Sequence, residues 1–218
     1  MLSIKSNREE TAHAGLSTIE GSATAEIEEK RSRFIANAAF VDTEEKALEF
    51  LNSIRAQHRT ARHNVYAYVL REGSRMRYSD DGEPAKTAGL PVLESIQHAG
   101  LTDCIVVVTR YFGGILLGTG GLVRAYTESA ASALKAAKVV TVRSCVTVTV
   151  QVDYSLYERA MLLLQGAGAK INEPIFEDKV TLTAVLPEGD EVGLPTAFQE
   201  LSRGAVVPIL SKPFYTPF

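Results

Sequence analysis

Residues 110–121, Arg-Tyr-Phe-Gly-Gly-Ile-Leu-Leu-Gly-Thr-Gly-Gly, join an arginine and two aromatic residues to five glycines. Glycine allows positive φ and the close approach of a ligand or another chain segment. The run lies between an apolar stretch and a helical pattern, where free N–H groups and the helix dipole suit an anion. The candidate binding residues in it are Arg110, Tyr111, Gly113, Gly114, Gly118, Thr119, Gly120 and Gly121. The alternative is a glycine-lined turn required only for packing.

A second candidate is the acidic stretch Ser-Asp-Asp-Gly-Glu-Pro at residues 79–84. Asp80, Asp81 and Glu83 place three carboxylates within four residues, and oxygen ligands of this kind suit Mg²⁺. The same residues equally make an exposed turn. No cofactor is therefore predicted, and Mg²⁺ at Asp80, Asp81 and Glu83 is kept only as a weak alternative.

His63, beside Arg62, is the histidine best placed to act as a general base or to contact phosphate. The remaining histidines and the cysteines show no metal-ligand spacing, and no nucleophile–base–orienter set is evident. Binding is therefore favoured over catalysis. Tyr66 and Tyr68 follow on the same predicted strand, and a sheet face bearing Arg62, His63, Tyr66 and Tyr68 would contact an RNA backbone and stack bases.

Charge is distributed unevenly along the chain, although the net charge is only −3. Residues 55–77 carry six arginines against the single acid Glu72, and arginine favours bidentate phosphate contacts. A solvated arginine-rich surface is the alternative. Residues 144–218 hold nine acidic and five basic residues, so phosphate affinity is expected in the N-terminal part.

The elements that must position these residues indicate an α+β protein of two domains. Polar residues 1–21 predict a mobile extension. Residues 22–143 predict a domain with a hairpin turning at residues 30–32, a helix starting at Asp42, a strand from His63, a buried strand at residues 104–109 and a long helix after Gly121. Residues 144–218 follow the order βαββαβ, which is the ferredoxin-like pattern.

Composition excludes several protein classes. No apolar run in the 218 residues approaches the ~18–20 needed to span a bilayer, and the start lacks an apolar leader. Cys104 and Cys145 lie far apart in β-branched runs, which predicts two buried thiols in a reducing compartment. We therefore expect a cytoplasmic protein without a membrane partner.

Several segments, in order, resemble the YigZ/IMPACT family between about residues 23 and 138. They are Glu-Lys-Arg-Ser-Arg-Phe at residues 29–34, Arg62-His63, the acidic stretch at residues 79–84, Thr87-x-Gly89-x-Pro91, and Arg-Tyr-Phe-Gly-Gly-x-x-Leu-Gly at residues 110–118. The resemblance implies an N-terminal domain of the ribosomal-protein type fold also seen in the fourth domain of elongation factor G. It also implies a tail like that factor's fifth domain.

The resemblance further implies a role linked to translation. The family's eukaryotic members regulate initiation by relieving activation of a stress kinase, and they do so with an additional N-terminal RWD domain. This chain is expected to have no room for that domain, so the kinase mechanism is not carried over. For bacterial members the resemblance implies no established reaction.

Three functions remain open. The leading one is contact with RNA or the ribosome through the N-terminal domain, in regulation of translation. The first alternative is a Mg²⁺-dependent enzyme or binding protein for a small phosphorylated ligand, held at Gly118–Gly121, and the second is a protein-interaction adaptor using the acidic tail. For the leading function, Arg62, His63, Asp80, Asp81, Glu83, Arg110 and Tyr111 are expected to converge on one cleft. Arg62 and Arg110 are expected to supply two phosphate contacts.

Overall fold

The computed structural model describes residues 15–218, which form two compact units. One unit comprises residues 16–140, and the other comprises residues 141–218 with Gly15. The division lies three residues before the predicted boundary at 143/144. Residues 1–14 of the predicted mobile extension lie outside the described residues. The described part differs from the prediction, because Leu16–Glu20 is a strand, β1.

A five-stranded antiparallel sheet forms the centre of the first unit. Its strands are β2 (Ser22–Glu29), β3 (Ser32–Phe40), β4 (His63–Leu70), β5 (Arg75–Ser79) and β6 (Cys104–Tyr111). The spatial order is β2-β3-β6-β4-β5, so β6 lies in the middle although it comes last in the chain. The register places Arg110 on β6 opposite both Phe34 on β3 and His63 on β4. This juxtaposition of strand ends positions the candidate site.

Helices cover both faces of this sheet: α1 (Glu44–Gln57), α2 (Gly89–His98) and α3 (Gly118–Ala136). Val106 and Val108 pack in the core formed with α2 and α3, whereas Ile105 and Val107 pack against α1. Burial on both faces explains why β6 is a continuous apolar run rather than an alternating one.

Local chemistry defines the ends of two of these elements. Lys30 and Arg31, with φ of 46° and 64°, make the two-residue turn between β2 and β3. Helix α1 is capped by Thr43 and not by Asp42 as predicted, because the Thr43 hydroxyl accepts from the Lys46 amide at 3.3 Å. Asp42 instead pairs with the Lys46 ammonium, four residues along.

The second unit is built on β7 (Lys138–Val152), which starts in the first unit, and on β10 (Val180–Pro187), its antiparallel partner. The remaining elements are α4 (Tyr157–Gly166), β8 (Lys170–Ile171), β9 (Ile175–Phe176), α5 (Leu194–Ser202), β11 (Ile209–Leu210) and β12 (Phe214–Pro217). Strands β11 and β12 pair with β7, and β8 and β9 pair with β10. Val150, Leu164, Leu182 and Phe198 centre its core.

Two antiparallel sheets and five α-helices within residues 15–218 confirm the α+β class. Short 3-10 turns occur at Glu72–Ser74 and Tyr154–Leu156. No helix in this part of the chain is long and apolar enough to cross a bilayer. Cys104 and Cys145 are both buried and free, as predicted, and burial raises the pKa of the Cys104 thiol to about 12.

Candidate functional site

An open cleft of about 610 Å³ lies in the first unit where the His63 end of β4 and the Arg110 end of β6 meet. Its lining residues are Thr60, Arg62, His63, Arg110, Tyr111, Phe112 and Leu116. The structure thus brings together four of the predicted site residues, namely Arg62, His63, Arg110 and Tyr111. Sequence reasoning missed Thr60, Phe112 and Leu116 as lining residues, although the last two lie inside the glycine-rich segment it singled out.

Arg110 is held by a buried ion pair beneath this cleft. Its Nη1 donates to Glu83 Oε1 at 2.7 Å, and Tyr126 donates its hydroxyl to the same oxygen at 2.8 Å. The guanidinium lies over the rings of Phe34 and Phe112, at 5.4 and 5.7 Å from their centroids. Burial, reinforced by Glu83, raises the pKa of Tyr126 far above its usual range. The charge of Arg110 is therefore already compensated within the protein.

The Nε–H group of Arg110 differs from its Nη1 group, which is bonded to Glu83. Nε is buried and has no hydrogen-bond acceptor among the described residues. Leaving a buried donor unpaired costs on the order of 1–3 kcal/mol. An acceptor brought by a ligand would remove that cost.

His63 is oriented by the acidic turn. Its Nδ1 lies 2.8 Å from the backbone oxygen of Asp81, and a carbonyl can only accept, so Nδ1 carries the proton. In the neutral ring Nε2 is then an acceptor, and it becomes a donor when the ring is protonated. The Asp81 carboxylate accepts from the backbone N–H of Asn64 at 2.6 Å and from the Arg55 guanidinium at 3.0 Å.

The three carboxylates of the acidic turn bind different protein donors. Asp80 accepts from the amides of Lys86, Ala88 and Gly89, which anchors the start of α2. Within residues 15–218 no three His, Cys, Asp or Glu side chains are grouped to hold a metal. A Mg²⁺ ion at Asp80, Asp81 and Glu83 would have to displace these partners, so the arrangement does not fit the ion.

Tyr111 lies on the face of β6 opposite to Arg110. Its hydroxyl is 2.9 Å from His58 Nδ1, just beyond the end of α1, and the Arg33 guanidinium lies 5.8 Å from its ring centroid. His58 was not predicted to take part, since nothing in the sequence links it to Tyr111, 53 residues away.

The predicted aromatic sheet face is wrong. Residues 63 and 66 are an odd number of positions apart, so His63 and Tyr66 point to opposite faces of β4. Helix α1 covers the tyrosine face: Tyr68 is 1% exposed and donates to Glu44, and the half-buried Tyr66 stacks on Tyr68 in the same cluster. Bases cannot stack there without displacing α1.

The glycines at residues 113–121 fall into those that shape the turn after β6 and those that begin helix α3. A Cβ on Gly113 would lie 2.0 Å from the Arg31 backbone, so this glycine allows the hairpin turn to pack closely. Gly114 and Gly118 have positive φ, 87° and 71°. Gly118, Thr119, Gly120 and Gly121 begin α3 but do not line the cleft, so the segment is not one continuous site.

The predicted basic run at residues 55–77 is partly neutralised by carboxylates from other elements. Arg55 pairs with Asp81, Arg71 with Asp103, and Arg75 and Arg77 both with Glu44. Arg62 is exposed and forms no ion pair or hydrogen bond within residues 15–218. Arg59 is also exposed and donates only to the Ala56 backbone oxygen, so the run keeps two arginines without an acidic partner in the described residues, and Arg62 is the one that lines the cleft.

Comparison with known proteins places both units. Residues 30–134 match the Impact N-terminal domain, and residues 150–205 match a domain of unknown function, DUF1949. "IMPACT family member in pol 5'region" of Thermus thermophilus is 42% identical over 176 residues, covering 80% of this chain and 96% of that protein. "IMPACT family member YigZ" of Escherichia coli is 36% identical, covering 81% and 88%.

A eukaryotic relative and a solved structure agree with this assignment. "Protein IMPACT" of Xenopus laevis is 38% identical over 98 residues, which are 42% of this chain and 31% of that one. A structure described as "Crystal structure of an hypothetical protein" is 34% identical with a TM-score of 0.63, covering 89% of this chain and 96% of its own. Because the Thermus thermophilus and Escherichia coli relatives are 42% and 36% identical and are matched over 96% and 88% of their length, the chain belongs to the YigZ/IMPACT family.

Proposed function

We propose that the first unit binds RNA in regulation of translation and that the cleft at Arg62 and His63 supplies the phosphate contact. The observation that carries the proposal is the exposed Arg62, uncompensated within residues 15–218, beside the free Nε2 edge of His63. Arginine binds phosphate oxygens through two parallel N–H groups. The translation setting rests on the family resemblance.

The proposal differs from the sequence-based expectation in where the affinity comes from. Arg110 does not count as a phosphate contact, because Glu83 occupies its Nη1 and would repel a second anion. The phosphate contact at Arg62 in the cleft replaces the extended basic surface expected from the sequence.

Fluorescence anisotropy with labelled ribosomal RNA fragments tests the proposal. We expect Arg62→Ala to weaken binding, because it removes the free guanidinium. Arg77→Ala is the matched control: Arg77 is an exposed arginine of the same unit, but it pairs with Glu44 and lies on β5 opposite Tyr68, five positions along β4 from His63. Equal affinity of both variants and the unchanged protein would contradict the proposal.

The size of the cleft favours a second candidate, a small phosphorylated ligand. A volume of about 610 Å³ falls in the range of roughly 300–1,000 Å³ that small-molecule sites occupy. A rise in the unfolding temperature with a free nucleotide, together with no affinity for longer RNA, would favour this candidate. Because the carboxylates are engaged, binding would not require Mg²⁺.

We also propose the type of fold for each of the two units. The order β11-β7-β10-β8, with α4 and α5 as the two connecting helices, supports a ferredoxin-like second unit. We propose the elongation-factor type fold for the first unit and a cytoplasmic location on the family resemblance and the sequence. A protein-interaction adaptor that binds its partner through the acidic second unit is the remaining alternative to RNA binding.

A further inference from the structure

We infer that the cleft takes single-stranded rather than duplex RNA, with one unpaired base lying against Phe112 and Leu116. This inference rests on the proposed function and names its substrate class. It follows from the unequal chemistry of the cleft walls, one of which is charged and the other apolar.

The apolar wall is exposed to solvent. Phe112 is 55% exposed and Leu116 is 83% exposed, and Ile115 between them adds a further exposed aliphatic side chain. Proteins that bind single strands combine such aromatic surfaces with a cationic path for the backbone, because every base has a face that can stack. In duplex RNA the bases are already stacked and their faces are not available.

The buried Arg110 Nε identifies the kind of acceptor. Its donor is unsatisfied, but the Arg110–Glu83 pair is already neutral, so an anion there would meet the Glu83 carboxylate. A neutral acceptor fits better, and the edge of a base carries carbonyl oxygens and ring nitrogens. Phosphate is then expected at Arg62, and the base at Arg110 and Phe112.

The arginine run at residues 55–77 is poorly suited to a duplex. A duplex-binding surface contacts phosphates across successive grooves and needs several free cations. Arg55, Arg71, Arg75 and Arg77 are each paired with a carboxylate. Along residues 55–77 only Arg59 and Arg62 are left without an acidic partner among the described residues, which is fewer cations than such a footprint needs from this run.

The test compares three probes on the full chain: a labelled RNA oligomer, the same oligomer annealed to its complement, and the corresponding mononucleotide. We expect the single strand to bind most tightly. Phe112→Ala should weaken it by between about fivefold and 150-fold, the range for losing one stacked base. Phe112→Tyr keeps the ring and should retain the affinity, while Phe40→Ala removes a 39% exposed phenylalanine at the far end of β3 and should have no effect.

The outcomes separate this inference from the proposed function. If the duplex binds as tightly as the single strand, or if Phe112→Ala behaves like Phe40→Ala, the inference is wrong and RNA binding stands. If no RNA probe binds, the proposed function fails. If the mononucleotide binds as tightly as the oligomer, the inference and the RNA-binding proposal are both wrong, and the small phosphorylated ligand is favoured.

Discussion

Arg110 and Glu83 form an ion pair of 2.7 Å in which the two side chains are only 8% and 4% exposed. Glu83 comes from the loop before α2 and Arg110 from the end of the central strand, so the pair joins two distant segments under the cleft. Charges this deeply buried are tolerated only when paired, which makes the contact a structural support for the site.

Removing the negative partner should therefore destabilise the first unit strongly. Glu83→Gln leaves Arg110 as a buried charge, for which a loss of ~3–5 kcal/mol in the free energy of unfolding is typical. Urea unfolding followed by circular dichroism measures it. The control is Glu26→Gln, which breaks the exposed pair with Arg33 and should change stability far less. Equal shifts for the two variants would contradict the buried-pair interpretation.

Gly113 should not tolerate a side chain. Gly113→Ala places Cβ 2.0 Å from the Arg31 carbonyl carbon and oxygen, so the hairpin turn must move and the unfolding midpoint should fall. Gly120→Ala is the matched control in the same segment, because its new Cβ would only approach Arg124 Nη1 at 3.7 Å.

In a helix, alanine in place of glycine stabilises by ~0.5–1 kcal/mol, so Gly120→Ala should raise the midpoint. If it does so and RNA affinity is unchanged, the second half of the glycine segment serves helix α3 and not the ligand. A fall in the Gly120→Ala midpoint would show that this glycine has a role the packing does not explain.

Alkaline pH should destabilise the protein through Tyr68. Burial and the hydrogen bond to Glu44 raise the pKa of Tyr68 to about 12 from an unfolded value near 10. A group with a raised folded pKa contributes its stability below the unfolded pKa and loses it as pH rises through the folded pKa. Stability should therefore decline between about pH 10 and 12.

Tyr68→Phe removes this titration and should flatten the decline, which urea unfolding at stepped pH would show. Tyr78→Phe removes the phenol hydroxyl of a 39% exposed tyrosine in the same unit and is the matched control for the substitution. If stability declines as steeply with pH in Tyr68→Phe as in the wild type, another group causes the decline. The buried Tyr126 is then the first candidate.

Asp80 should behave as a helix-anchoring residue and not as a metal ligand. Asp80→Asn keeps one acceptor but loses charge-assisted bonds to three backbone amides at the start of α2, and a loss of ~1–2 kcal/mol is expected. Millimolar Mg²⁺ should not shift the unfolding temperature of either protein. A Mg²⁺-dependent rise in the wild type that Asp80→Asn abolishes would overturn this assignment.

The sequence predicted the elements well where periodicity and turn chemistry are local. The hairpin turn at Lys30 and Arg31, the apolar stripe of α1 and the doubly buried β6 follow from patterns a few residues long. The capping residue of α1 was wrong by one position, because Thr43 accepts from the Lys46 backbone amide while Asp42 pairs with the Lys46 ammonium.

The site could be predicted only in part, because charge and register depend on segments far apart in the chain. Summing the arginines at residues 55–77 ignored Glu44, Asp81 and Asp103, which pair with four of the six from other elements. The pairing of His63 with Arg110 depends on β6 inserting between β3 and β4, which no local pattern reveals. By contrast, the alternation of side chains along a strand is enough to place His63 and Tyr66 on opposite faces of β4.

The salt dependence of RNA affinity tests the central claim most directly. Each phosphate contact on a single strand contributes a slope of ~0.7 in a plot of log affinity against log salt concentration, because counterions are released. The wild type and Arg77→Ala should share one slope, and Arg62→Ala should lower its magnitude by ~0.7, since Arg62 is the uncompensated arginine of the cleft. Identical slopes for the wild type and Arg62→Ala would contradict the account.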